Sequence, residues 1–293
     1  MMKRGATIML ALLGFALTSC VSRPPHVSVF RPEMGCAGVA PEPDNIEGAK
    51  SFTYKTASGR ALRIHVFEPK DAGSGHPAVL FFFGGGWRIG SVLQFVDKAN
   101  YFADRGYVTA IADYRVSCRD NSDVVQSDED ARSAYSWLRE RSAEFGVDSK
   151  RMFLAGGSAG GQLALYAALK AQPGEKPLGL VLYNPAIDLR NLAKPGELKA
   201  AIAISPSDLP VKNAPAMIIM HGDADTKAPI EASRTFCARV KAAGRECQLV
   251  EYVGRDHGFW SDRKVDPHIG RSPYDDTLAR TEAFLESHKQ LER

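Results

Sequence analysis

Six apolar residues in a row, Ala78-Val79-Leu80-Phe81-Phe82-Phe83, run directly into Gly84-Gly85-Gly86. A short run with no polar face reads as a strand buried on both sides. Such a strand needs helices above and below it, so the rest of the chain has to alternate strands with helices. It does. Strand patterns cover Ser51–Thr56, Leu62–Phe67, Ala78–Phe83, Val108–Asp113, Met152–Ala155, Leu178–Tyr183, Ala216–Met220 and Gln248–Tyr252. Helix patterns fall between them, at Gln94–Arg105, Gln126–Phe145, Ala159–Ala171, Ile230–Ala243 and Asp275–His288. Two hairpin-like strands followed by alternating units predict an α/β fold, an eight-stranded, mostly parallel sheet flanked by helices. Sheets of this kind bind ligands beyond the carboxyl ends of their strands.

The composition suits one large domain. Of 293 residues 44% are hydrophobic, ample for a core, and the 24% that are charged are mixed in sign. A net charge of +3 with no basic run argues against nucleic acid as a partner. The expected organisation is a distinct N-terminal segment over 1–19, a proline-rich tether over 20–45 (Pro24, Pro25, Pro32, Pro41, Pro43) and the α/β domain over 46–293.

Gly156-Gly157-Ser158-Ala159-Gly160 joins the strand pattern Met152–Ala155 to the helix pattern Ala159–Ala171. A Gly-x-Ser-x-Gly spacing in that setting is a nucleophile elbow. The sharp strand-to-helix turn forces the serine into a strained conformation, and flanking glycines keep other side chains clear. The hydroxyl is exposed, and the helix N-terminus aims its amides at any negative charge that develops there. Ser158 is therefore the candidate nucleophile. Strand and helix on either side weigh against an idle serine in a glycine-rich turn.

Three further segments resemble loops of the α/β-hydrolase superfamily. Phe83-Gly84-Gly85-Gly86-Trp87 is similar to the His-Gly-Gly-Gly-Trp oxyanion loop of the hormone-sensitive-lipase-like esterases. The resemblance implies an oxyanion hole made by the amides of Gly85, Gly86 and Ala159. Phe83 replaces the histidine that usually braces the loop, so bracing has to come from elsewhere. His221-Gly222-Asp223-Ala224-Asp225-Thr226-Lys227-Ala228-Pro229 resembles the segment bearing the triad acid. It implies Asp225, with Asp223 as the alternative and His221 as a structural residue at the strand end. Asp256-His257-Gly258-Phe259 follows the last strand, and the order Ser158, Asp225, His257 is the one this fold uses. Asp188, Asp208 and Asp223 read as solvated loop residues, and His26, His65, His76, His268 and His288 as surface histidines. Trp87, Phe259 and Trp260 are candidates for an acyl pocket, with plain core positions as the alternative.

Asn184-Pro185-Ala186-Ile187-Asp188 and the helix around Phe236-Cys237 also resemble the acetyl-xylan/feruloyl esterases. The implied fold is the α/β-hydrolase fold with a small cap. The insertions Ala186–Pro210 and Arg115–Ser127 lack the look of a hydrophobic lid, so an open site is expected. The implied activity is a serine carboxylesterase acting on a small-molecule or oligosaccharide ester, acetyl or feruloyl groups on carbohydrates, with no metal or organic cofactor. Rivals are an amidase or formamidase, an exopeptidase, and a catalytically inactive binding module.

The N-terminus adds an address. Met1-Met2-Lys3-Arg4 precedes an apolar run from Ala6 to Leu17, shorter than the ~20 residues that span a bilayer. Leu17-Thr18-Ser19-Cys20 resembles the lipobox of bacterial lipoproteins, which implies a lipid anchor on Cys20 and export to a membrane surface, the outer membrane being the expected one. Export permits disulfides. Cys237 and Cys247 flank a helix-to-strand turn that brings them together; Cys36 and Cys118 are a second candidate pair, with no local pattern behind it. Zinc is the poorer reading, because no spaced Cys/His set is present.

Overall fold

The computed structural model describes Cys36 and residues 39–71, 73–190 and 202–289. The targeting segment 1–19, Cys20, His26, most of the tether 20–45 and the middle of the insertion Ala186–Pro210, expected as the small cap, lie outside the described residues.

Eight strands form one sheet: β1 Lys50–Ala57, β2 Arg60–Phe67, β3 His76–Phe82, β4 Val108–Ala112, β5 Val147–Gly157, β6 Gly179–Tyr183, β7 Ala216–Gly222 and β8 Cys247–Tyr252, in the order β1-β2-β4-β3-β5-β6-β7-β8. The first two strands form an antiparallel hairpin and β2 runs antiparallel to β4; from β4 to β8 every pairing is parallel. Strand β3 is buried along its whole length, as its unbroken apolar sequence requires. It ends at Phe82, one residue before the expected boundary, because the chain leaves the sheet there to begin the glycine loop.

The principal helices are α1 Val96–Ala103, α2 Val124–Glu140, α3 Ala159–Lys170, α4 Ile230–Ala242 and α5 Pro273–His288. Their starts are written locally. Asp123 and Gln126 make a reciprocal capping box on α2, and the Ser272 hydroxyl accepts from the Asp275 amide ahead of α5, with Pro273 in the first turn. Helix α3 lies against β3, β5 and β6, so its N-terminus sits at the carboxyl edge of the central strands.

Both candidate cysteine pairs are joined: Cys237 to Cys247, and Cys36 to Cys118 across a sequence separation of 82. Two histidines expected at the surface are not there. His65 is fully buried on β2 with Nδ1 2.8 Å from the Ser51 hydroxyl, and burial together with Arg63 pushes its imidazole down to about 4. His76 is buried, with Nδ1 3.0 Å from the Gly106 carbonyl. Alternation along a strand does not tell a polar residue facing solvent from one facing a cross-strand partner.

Lys98 on α1 sets charge against burial. It is 1% exposed, its ammonium lies 3.9 Å from the Tyr274 ring centre, 5.4 Å from Trp260 and 5.5 Å from Tyr183, and no hydrogen-bond acceptor meets it among the described residues. Burial first, then Arg263, lower its pKa to about 7, against the opposite pull of Asp97 and Asp275. Between pH 7 and the ordinary lysine value of 10.5 the unfolded chain binds a proton that the folded chain does not, so stability rises with pH across that window. The cost is complete below pH 7. Lys98→Met is therefore predicted to stabilise by roughly 2–4 kcal/mol at pH 6 and progressively less toward pH 10. Chemical denaturation at both pH values checks this; a gain that does not change with pH contradicts it.

Candidate active site

The elbow forms where β5 meets α3. Ser158 has φ 53° and ψ −118°, a region that an L-residue occupies only when its surroundings hold it there. Its amide donates to the Tyr183 carbonyl at 2.9 Å, and its carbonyl accepts from Gln162 at 3.1 Å and Ala186 at 3.2 Å. A Cβ on Gly160 would fall 2.1 Å from the Phe82 carbonyl oxygen, so only glycine lets the first turn of α3 come this close to β3.

Two loops from later strands bring the remaining groups. His257 follows β8, and its Nε2 lies 2.8 Å from the Ser158 hydroxyl. Its Nδ1 lies 2.7 Å from the Asp225 carboxylate, on the loop after β7. With Nδ1–H donating to the carboxylate, Nε2 is left as an acceptor for the serine proton. The Asp225 side chain is fully buried and the His257 side chain 15% exposed, so the imidazole keeps one open side. Burial alone would raise the Asp225 pKa; hydrogen bonds from His221 and His257 and from the Ala228 amide outweigh it and hold the carboxyl well below the usual carboxylate range. It is ionised throughout the neutral range.

Two residues take larger parts than their sequence context suggested. His221 is fully buried, with Nε2 2.7 Å from the Ala228 carbonyl and 3.2 Å from the same Asp225 oxygen that meets His257, and with Nδ1 2.9 Å from the Ser233 hydroxyl. It is structural, as expected, but what it supports is the acid itself. Asn184, at φ 35°, places its amide nitrogen 3.3 and 3.4 Å from the two ring nitrogens of His257, nearly equidistant and so across the ring rather than at its edge. The signals were present, a histidine four residues before the acid and an asparagine closing β6, but neither position announces its contact. Asp223, the alternative acid, accepts from the Gly254 amide at 2.6 Å and ties the two loops together. Asp188 and Asp208 are not simply solvated, since both pair with Arg190.

The glycine loop approaches from β3. The Gly84 amide donates to the Gln94 side chain at 2.6 Å, and a Cβ on Gly84 would stand 3.3 Å from that of Ser158, which puts the loop over the elbow. Gly85 has φ 131°, and a Cβ there would lie 2.2 Å from the Ile89 carbonyl oxygen. No hydrogen bond among the described residues uses the Gly85 or Gly86 amide. Ala159 is the first residue of α3, where helix geometry leaves the amide without an intrahelical acceptor.

The three candidate pocket aromatics part company. Trp87 is buried and donates from Nε1 to Gln162 on α3 at 3.0 Å, a strut between the loop and the helix that follows Ser158. Phe259 packs on Tyr252, ring centres 4.5 Å apart. Trp260 alone is seen against the elbow: a Cβ on Gly157 would stand 2.6 Å from its ring, which also stacks on Phe95.

Comparison with known proteins places the chain among esterases. The BD-FAE family matches residues 64–180, from β2 into β6. A thermophilic esterase of the planctomycete Thermogutta terrifontis superposes with a TM-score of 0.73 at 34% identity, covering 82% of this chain and 92% of that one; structures of the same esterase hold propionate and butyrate. A probable isoprenylcysteine alpha-carbonyl methylesterase of Oryza sativa is 27% identical over 67% of this chain and 55% of its own length. Esterase LipC of Mycobacterium tuberculosis is 27% identical over 62% of this chain and 53% of its own. The chain thus spans about half the length of the curated relatives it matches. At 34% identity over 92% of the solved esterase, with residues 64–180 matching the BD-FAE family, the chain belongs to the esterases of the α/β-hydrolase superfamily.

Proposed function

We propose that the chain is a serine carboxylesterase that hydrolyses short-chain acyl esters, acetyl groups on carbohydrates being its natural substrates. The observation that carries this reading is the continuous row from the Asp225 carboxylate through His257 to the Ser158 hydroxyl, with links of 2.7 and 2.8 Å. Ser158 Oγ attacks the ester carbonyl carbon while His257 Nε2 takes its proton. The carbonyl oxygen becomes an oxyanion held by the amides of Gly85, Gly86 and Ala159, each worth roughly 3 kcal/mol in such holes. Collapse breaks the bond to the alcohol oxygen, which receives the proton from His257. Water, deprotonated by the same imidazole, then releases the acid and restores the serine.

A short acyl group fits the crowding at the elbow, where Trp260 closes one side. In this reading the alcohol is assigned to a groove beside the residues that support Ser158 and Asp225. This groove of ≈ 260 Å³ shares its walls with the site through Pro185-Ala186 and Lys227-Ala228, and Asp188, Ser207 and Thr235 also line it. Mixed donors and acceptors of this kind suit a polyol better than a lipid. The two disulfides support an oxidising compartment, and with it the reading of an exported, Cys20-anchored protein at a bacterial membrane.

Ser158→Ala is expected to lower release of nitrophenol from an acetyl ester at least about 10³-fold, and Asp225→Asn about 10²–10⁴-fold by permitting the wrong tautomer. Retained turnover in the folded serine variant refutes the assignment. Across a series of nitrophenyl esters, kcat/KM should peak between about two and four acyl carbons and fall beyond about eight; a preference for long chains contradicts the crowded acyl side.

A further inference from the structure

The glycine loop stands where a bracing histidine is missing, and its carbonyls show what replaces it. Phe83, in that histidine's place, stacks on Tyr114 with ring centres 4.1 Å apart, and the Tyr114 hydroxyl donates to the Phe83 carbonyl at 2.7 Å. The Ser117 amide donates to the Trp87 carbonyl at 2.8 Å and the Cys118 amide to the Arg88 carbonyl at 3.0 Å. Arg119 Nη1 donates to the Gly90 carbonyl at 2.7 Å. Four carbonyls of one short loop are thus held from the single segment Tyr114–Arg119.

That segment is itself fixed by the chain that precedes the sheet. Glu42 pairs with Arg119 at 3.0 Å, both side chains nearly fully buried at 4% and 7% exposure, and its other oxygen accepts from the Ser91 hydroxyl and the Val92 amide, each at 3.0 Å. Asp113 lies 3.5 Å from the same guanidinium. The residue beside Arg119, Cys118, is bonded to Cys36. The loop needs this support because Gly85, Gly86, Trp87 and Gly90 all have φ between 57° and 131°, conformations that relax unless held.

We infer that Arg119 is a positioning residue for the oxyanion loop, clamped from the N-terminal segment by Glu42 and by the Cys36–Cys118 bridge. This rests on the hydrolase reading above. The clamp acts on the loop amides that meet negative charge only as it develops, so its loss falls on turnover and not on substrate binding.

The test compares Arg119→Met, Arg119→Lys, Glu42→Gln and the Cys36→Ser/Cys118→Ser pair with the full-length wild-type protein and with Ser158→Ala, on nitrophenyl acetate, with a thermal unfolding curve for each. Arg119→Met and Glu42→Gln should lower kcat about 10–100-fold with KM within about three-fold of wild type. Arg119→Lys, which keeps the charge, should recover part of the loss, and the cysteine pair should fall in the same direction by less. If Arg119→Met does not fold, Glu42→Gln and the cysteine pair decide. Folded variants with wild-type kcat, or with raised KM and unchanged kcat, overturn the inference. If the wild type is active and silenced by Ser158→Ala while the clamp variants keep full kcat, only the clamp fails. If the wild type does not turn over the ester, the hydrolase reading fails and the clamp with it.

Discussion

A serine held at φ 53° between the central strand β5 and helix α3 is the constraint around which the rest of the molecule is arranged. The conformation costs of order 1–3 kcal/mol and persists only if its neighbours over-determine it. They do so from three directions: the Tyr183 carbonyl takes the serine amide, the Ala186 and Gln162 amides meet its carbonyl, and Gly160 lets α3 close onto β3. The fully buried β3 supplies the fixed surface against which that turn is pressed. Sheet order follows from the same need, since crossing from β4 through β3 to β5 puts the glycine loop and the elbow on neighbouring strands.

Around that point the electrostatics are arranged in layers. A fully buried carboxylate is unfavourable unless its lone pairs are met. Asp225 receives His221, His257 and the amides of Lys227 and Ala228, which keeps it charged without exposing it. The charge in turn orients an imidazole that is open on one side only. On the opposite flank the glycine loop is steadied by a different set of buried charges, Glu42, Asp113 and Arg119, which make no contact with the triad residues among the described bonds. Among the described residues the two halves of the site are thus held by separate sets of buried charges, with the Trp87–Gln162 bond spanning between them.

What the sequence disclosed followed the range of the interactions involved. The eight strands and five principal helices were legible because each is a local pattern, an apolar or alternating run closed by glycine, proline or a capping residue. The place of Ser158 at the end of β5 was legible because its motif is contiguous, and that of His257 because it follows the last strand pattern. Contacts made at long range were not. Nothing near His65 announces Ser51, nothing near Cys118 announces Cys36, and the glycine loop does not itself reveal that Tyr114 and Arg119 take over from a missing histidine. Trp87 stood between pocket wall and core for a related reason: its partner Gln162 is fixed only when α3 packs against the loop.

The account stands most directly on the chemical state of one hydroxyl. Treating the folded protein at neutral pH with a fluorophosphonate, then mapping the modified peptide by mass spectrometry, reads that state without knowledge of the natural substrate. A single adduct on Ser158, absent when His257 is replaced by alanine, is the predicted result. No adduct, or one carried equally by the His257→Ala protein, would contradict the claim that the imidazole and the buried carboxylate activate this serine.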